Sequence, residues 1–222
     1  MTTRRPRKAV VGSVLGRRHP PDLPRAEAAV RDLLEALGFD PRDPALATTP
    51  SRVAEAFARG LTAGYEADPQ AVLGAGFPVQ HPNPVVALGI PLLFVCPHHL
   101  MPARGVVHLA FLPKDRVPGL SRITALVDAL GRRLVLQEDL TQHLAETLMK
   151  GIGARAAVAV VEATHTCVAA EDLARRDAVF RTQATVGPKA AVAELVRQVE
   201  AGLASGGAAP RARKAKVGPG GA

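Results

Sequence analysis

Two short clusters hold most of the residues able to do chemistry: Cys96-Pro97-His98-His99 and His165-Thr166-Cys167. The spacing Cys96-x-x-His99 lets two side chains reach one metal ion from a turn at a strand end. Taken alone, it also fits a buried thiol beside a surface histidine. The second cluster shifts that balance. Read as strand, it places His165 and Cys167 on one face by alternation, so Cys167 can serve as a third ligand with His165 beside it. Both cysteines of the chain then lie within a few residues of three of its seven histidines. Three protein ligands leave a fourth zinc position open, as catalytic sites do, and zinc so held lowers the pKa of water to about 7. The remaining pair, His98 and His165, titrates near neutrality and suits proton transfer. His19, His81, His108 and His143 are read as non-catalytic. Gln137-Glu138 opens a helix and has two readings. Glu138 is either an acid favoured by the helix dipole, or a carboxylate accepting two N–H donors from a guanine edge.

These residues need elements to position them. Leading to Cys96, Pro84–Val95 reads as a strand, and Gly105–Pro113 as its neighbour, with a turn near Lys114-Asp115. Gly119-Leu120-Ser121-Arg122 starts a helix with Ser121 as candidate cap; Ile123, Leu126, Val127 and Leu130 form its apolar stripe. A second helix covers about Glu138–Lys150. The apolar run from Ala156 reads as a buried strand, HTCVAA continues it or pairs beside it, and VFRTQATV is another strand. A last helix spans about Lys189–Leu203. Upstream, a helix begins near Arg25 with Val30, Leu33, Leu34 and Leu37 on one face and Gly38 as its stop, and a second begins with Thr49 as cap and Pro50 at its first position. The order of helices, strands, a helix pair and strands is an α+β pattern, not alternating βαβ. Four regions follow: a disordered basic tail (1–24), an N-terminal helical segment (25–83), a catalytic domain (84–204) and a second disordered basic tail (205–222).

The net charge of +8 sits in those tails, +6 in residues 1–25 and +4 in 205–222, leaving −2 for the body. With aromatics at 3%, stacking platforms for bases are lacking, which argues against nucleic acid as a partner. No apolar run reaches the roughly 18–20 residues of a membrane span, and the basic start lacks an apolar signal region. The expectation is a cytoplasmic protein that engages no membrane.

The blocks CPHHLMP, VHLAFLPKDRVPGLSRI, RRLVLQEDLTQHLAETL and VVEATHTCV, with TTPSRVAEAF upstream, together resemble the GTP cyclohydrolase I family from about Arg25 to Gly187. The resemblance implies a tunnelling fold (T-fold): an antiparallel sheet with helices packed on one face, assembled into ring-shaped homo-oligomers, usually decamers, with sites at subunit interfaces. It implies Zn2+ on Cys96, His99 and Cys167, and catalytic roles for His98 and His165. It further implies guanine recognition by Gln137 and Glu138, and contacts to ribose and phosphates from Ser121, Arg122 and Arg52. The implied reaction opens the imidazole ring of GTP at C8, releases formate and rearranges the product to 7,8-dihydroneopterin triphosphate, serving tetrahydrofolate or related pterin biosynthesis.

The departures from the family pattern cluster. Pro97 stands where the family has Glu. Glu55, Ala125 and Glu171 stand where it has cations that hold the triphosphate, and Arg175, Arg176 or Arg181 are candidate replacements. For a substrate with about four negative charges, a reversed charge near a partly buried site weighs several kcal/mol. The pattern therefore leaves two alternatives open. One is a paralogue using the same zinc chemistry on a less phosphorylated purine or pterin; the other is a non-catalytic binding or regulatory member, which retention of every zinc ligand disfavours.

Overall fold

The computed structural model describes residues 16–206. The N-terminal helices are α1 (Leu23–Ala36), α2 (Thr49–Glu55), which runs into a π-helical stretch Ala56–Leu61, and the short α3 (Pro69–Leu73). β1 (Phe77–Pro78) follows, then the long hairpin of β2 (Val85–Val95) and β3 (Pro102–Leu112), and β4 (Arg116–Val117), which pairs with β1. The helix pair α4 (Leu120–Gly131) and α5 (Gln137–Gly151) precedes β5 (Ala156–His165), α6 (Thr166–Glu171), β6 (Phe180–Val186) and α7 (Lys189–Ala204). The main sheet has the order β2-β3-β5-β6, antiparallel throughout.

Alternation decides what each sheet face meets. Ile90, Leu92 and Phe94 of β2, Val107, Leu109 and Phe111 of β3, and Ala157, Ala159 and Val161 of β5 point to one side. There they pack on Ile123, Leu126 and Leu130 of α4 and Leu140, Leu144 and Leu148 of α5. These two helices form the expected helical layer. The other face of β3 and β5, including Ala110, Val158 and Val160, packs on Leu195 and Val199 of α7. This explains the unbroken apolar run of β5: a strand covered on both sides has no polar side to alternate with.

Local differences from the sequence reading have identifiable causes. Ser121 does not cap α4; Gly119 occupies that position, and Ser121 lies inside the first turn. Likewise Thr48, not Thr49, precedes α2, so that Thr49 takes the first helical position and Pro50 the second. HTCVAA does not continue β5 as strand: His165 ends the strand and Thr166 opens α6. The Thr166 hydroxyl donates to Pro102 O at 2.6 Å, tying the reversal to the start of β3. α1 carries its apolar stripe, and Gly38 ends it at φ 88°, but Leu33 and Leu37 are exposed and no α1 residue is buried. The expected N-terminal tail falls outside the described residues up to position 15. From Gly16 the chain lies against the helical segment, with the Arg17 guanidinium over the Tyr65 ring and bonded to Thr62 and Glu66. The second basic tail falls outside the described residues beyond 206.

Candidate active site

Four backbone devices converge at one end of the sheet. The loop between β2 and β3 is closed by Cys96 N–H donating to Met101 O at 3.0 Å and Leu100 N–H donating to Cys96 O at 2.9 Å. Within it Leu100 takes a left-handed φ of 54°. Beside the loop, Val95 N–H donates to Arg133 O and Val135 N–H to Val95 O, which fixes the start of α5 against the end of β2. Ala103 on β3 pairs with His165 at the end of β5. α6 then folds back, placing Cys167 in its first turn.

The result is a cleft of about 400 Å³ lined by Cys96, His98, His99, Gln137, Glu138, His165 and Cys167, with Phe94, Val135, Leu136, Phe180 and Thr182 as much of its wall. One ligand atom each from Cys96, His99 and Cys167 lies within 4.8 Å of the other two. Donors about 2.0–2.3 Å from a common tetrahedral centre stand roughly 3.3–3.8 Å apart, so small side-chain rotations close this group on an ion. Burial, and then the neighbouring Cys96, push the Cys167 thiol above its ordinary value. A cation bound beside the Cys167 sulfur would offset that cost of forming its thiolate. Cys96, His99 and Cys167 can hold a metal ion.

The reversal at His165 still brings it beside Cys167, although through a strand end and a helix turn rather than through strand alternation. Its ring is held edge-on by Phe94 and Phe180, each with centroids at 5.5 Å. Nε2 lies 2.8 Å from Gln137 Oε1. Desolvation lowers the His165 pKa, and the charge of Glu138 partly opposes this. Gln137 is buried, and its amide nitrogen donates to Val161 O, Phe180 O and Thr182 Oγ1 at 3.2, 2.9 and 3.2 Å. Glu138, by contrast, is exposed in the first turn of α5 and opens on the cleft. His98 is exposed on the loop, its ring 6.4 Å from that of His99.

Similarity to known proteins points the same way. A family model described as GTP cyclohydrolase I matches residues 26–201. The chain belongs to the GTP cyclohydrolase I family. Within that family, it is 45% identical over 168 residues to the GTP cyclohydrolase 1 of Mycobacterium marinum, covering 75% of this chain and 83% of the relative. It is 44% identical to the Mycolicibacterium paratuberculosis protein of that name, with 75% and 82% covered. The Mycobacterium tuberculosis protein is 42% identical, with 75% and 83% covered.

Not every expected site residue reaches the cleft. Arg52 on α2 and Ser121 and Arg122 on α4 are exposed and lie outside its lining; Arg122 Nη1 donates to Val72 O at 3.4 Å. Among the described residues, Arg181 is the Lys or Arg that lines the cleft, and it is paired with Glu162 and Glu200. Arg175 pairs with Asp172 and Arg176 with Asp177. Each candidate replacement cation thus has an acid of its own. The spacing of the motifs contained no sign of Phe94 and Phe180 as walls of His165; those contacts reach 71 and 15 positions along the sequence.

Proposed function

We propose that this protein is a zinc-dependent GTP cyclohydrolase I, opening the GTP imidazole ring at C8 with loss of formate and rearrangement to 7,8-dihydroneopterin triphosphate. The observation that carries the reading is the meeting of a two-thiol, one-imidazole ligand group with His165 and Glu138 on one cleft, in a chain of this family. Two sulfurs and one nitrogen favour zinc over hard cations. Zinc held there supplies a Lewis acid and makes water nucleophilic near neutral pH.

The chain's own groups take the remaining roles. Glu138 offers two carboxylate oxygens to the paired N–H donors of a guanine edge, an interaction strengthened by its charge. Gln137 has its amide engaged within the protein, so we assign it to holding His165 rather than to reading the base. Because the Gln137 nitrogen faces two carbonyls, its oxygen faces His165, and Nε2 of that ring carries the proton. Nδ1 is left as the acceptor, placed to take the proton that the attacking water gives up and pass it to the purine nitrogen as the ring opens. His98, on its exposed loop, is the second proton carrier. The apolar wall of Phe94, Val135, Leu136 and Phe180 limits water around the base. Every side chain of this cleft falls within 94–182, inside the proposed catalytic domain 84–204.

Arg52, Ser121 and Arg122 fit the phosphate end only if a second copy presents them to the cleft. Exposed Leu33, Leu37, Phe39, Phe77 and Leu120 supply apolar surface for such an assembly, and a ring-type homo-oligomer, a decamer by family resemblance, is the proposed state. Two reduced thiol ligands suit the cytoplasm. Among the described residues no helix is long and apolar enough to cross a membrane.

The pairing of Arg175, Arg176 and Arg181 with local acids favours a second reading, in which the same chemistry acts on a less phosphorylated purine or pterin. Formate release from GTP, GMP and guanosine separates the two. Turnover of GTP with a micromolar KM supports the first and ends the second; turnover confined to GMP or guanosine does the reverse. Formate from none of the three, with zinc bound, would leave the non-catalytic reading.

A further inference from the structure

α6 carries two residues toward the metal ligands. Cys167 in its first turn and Glu171 at its end are four residues apart, which places both side chains on one helix face. Glu171 Oε1 lies 4.0 Å from His99 Nε2. The carboxylate reaches one ligand only. Among the described residues, the group within mutual 4.8 Å stops at Cys96, His99 and Cys167, so Glu171 does not close the fourth position. Nor does it line the cleft where a nucleotide would lie. Its side chain is 64% exposed and can rotate, so a hydrogen bond to the ring needs no backbone movement.

A metal-ligating histidine characteristically donates its other ring N–H to a carboxylate or carbonyl, which fixes the tautomer and raises the basicity of the ligating nitrogen. We infer that Glu171 is a positioning residue for the metal site: its carboxylate accepts the N–H of His99 and holds that imidazole for the ion. The inference rests on the metal reading above. It also gives the acid at this position a use, where the family pattern has an arginine for phosphate: its charge faces the metal's histidine rather than the substrate.

The test measures zinc affinity of the full chain by competition with a chromophoric chelator at fixed pH, and the d–d spectrum after Co2+ substitution. Wild type and Cys167→Ser settle the metal reading: zinc bound by the first and lost from the second upholds it. A wild type without zinc removes that reading and this inference together. With the metal reading upheld, Glu171→Ala is expected to weaken zinc binding by about 10–100-fold. Glu171→Gln should fall between it and wild type, the cobalt band should shift, and helix content should stay unchanged. Affinities within twofold of wild type for both variants, with an unshifted cobalt band, overturn the role of Glu171 while leaving the metal site standing. An equal loss in Asp172→Asn, whose carboxylate faces Arg175 instead, also overturns it, since the effect would then be diffuse charge.

Discussion

His165 Nε2 sits 2.8 Å from Gln137 Oε1, and the far side of the same amide is anchored to the backbone of β5 and β6. An amide held at both ends transmits the position of the sheet to the imidazole. Phe94 and Phe180 restrict the ring's remaining rotation. The arrangement sets which nitrogen of His165 is available without spending either one on the metal.

Gln137→Ala should therefore lower kcat by about 10–100-fold, the scale seen when the orienting partner of a site residue is lost. KM for GTP and zinc content should stay near wild type. Steady-state kinetics with metal analysis checks this. A raised KM with kcat preserved would return Gln137 to base recognition.

The ligand set and the proton carrier separate by mutation. Cys167→Ser is expected to lose zinc and activity together. His165→Ala should keep zinc while turnover falls by about 10²–10⁴-fold, the usual contribution of a positioned acid or base. Metal content by atomic absorption, read beside formate release, distinguishes them; zinc lost from His165→Ala would show the ligand assignment to be wrong.

Much of this fold was legible because burial writes a period into sequence. The stripe Ile123, Leu126, Val127, Leu130 marked α4, and the unbroken run of β5 marked a strand covered on both faces. Legibility failed where distant contacts decide. HTCVAA has no strong local preference, and its turn into α6 depends on Pro102, 64 positions from Thr166. The acid partners of Arg181 lie on β5 and α7, so its lack of spare charge could not be read from EDLARRDAVFR. The Cys96-x-x-His99 spacing is local and marked that pair in the sequence as candidate ligands; the hold on His165 by Gln137 left no such mark, because it spans 28 positions.

Gly105 is a packing requirement for the site. A Cβ there would stand 1.9 Å from Glu162 O and 2.7 Å from Ala163 Cα, both backbone atoms of the neighbouring strand. β5 must shift to admit it, and His165 lies three residues beyond Glu162 on that strand. Gly105→Ala should cost about 3 kcal/mol, the upper end for overpacking, and reduce activity in the fraction that folds. Gly60→Ala, with nothing within 4 Å of the new methyl, should be neutral or stabilising by up to about 1 kcal/mol. Urea midpoints at one fixed protein concentration compare the two.

His108 gives the stability a pH dependence. It is 2% exposed on β3, and its Nδ1 accepts Gly89 N–H at 3.1 Å, so the neutral ring carries its proton on Nε2, 3.9 Å from Glu162. A second proton must go on Nδ1 and displace the Gly89 bond. Desolvation lowers the pKa below the ordinary 6.5, Glu162 opposes this, and Arg181 adds to it. Below pH 6.5 the unfolded chain therefore takes up a proton that the folded chain refuses. Stability is fully present above that pH and falls as pH drops toward the folded-state pKa. His165, lowered likewise by burial, adds a loss of the same sign. Replacing His108 with Gln keeps an acceptor for Gly89 but removes the titration. Denaturant midpoints between pH 7.5 and 5.5 should fall for wild type and fall less steeply for His108→Gln; equal slopes would show that His108 protonates in the folded state as easily as in the unfolded one.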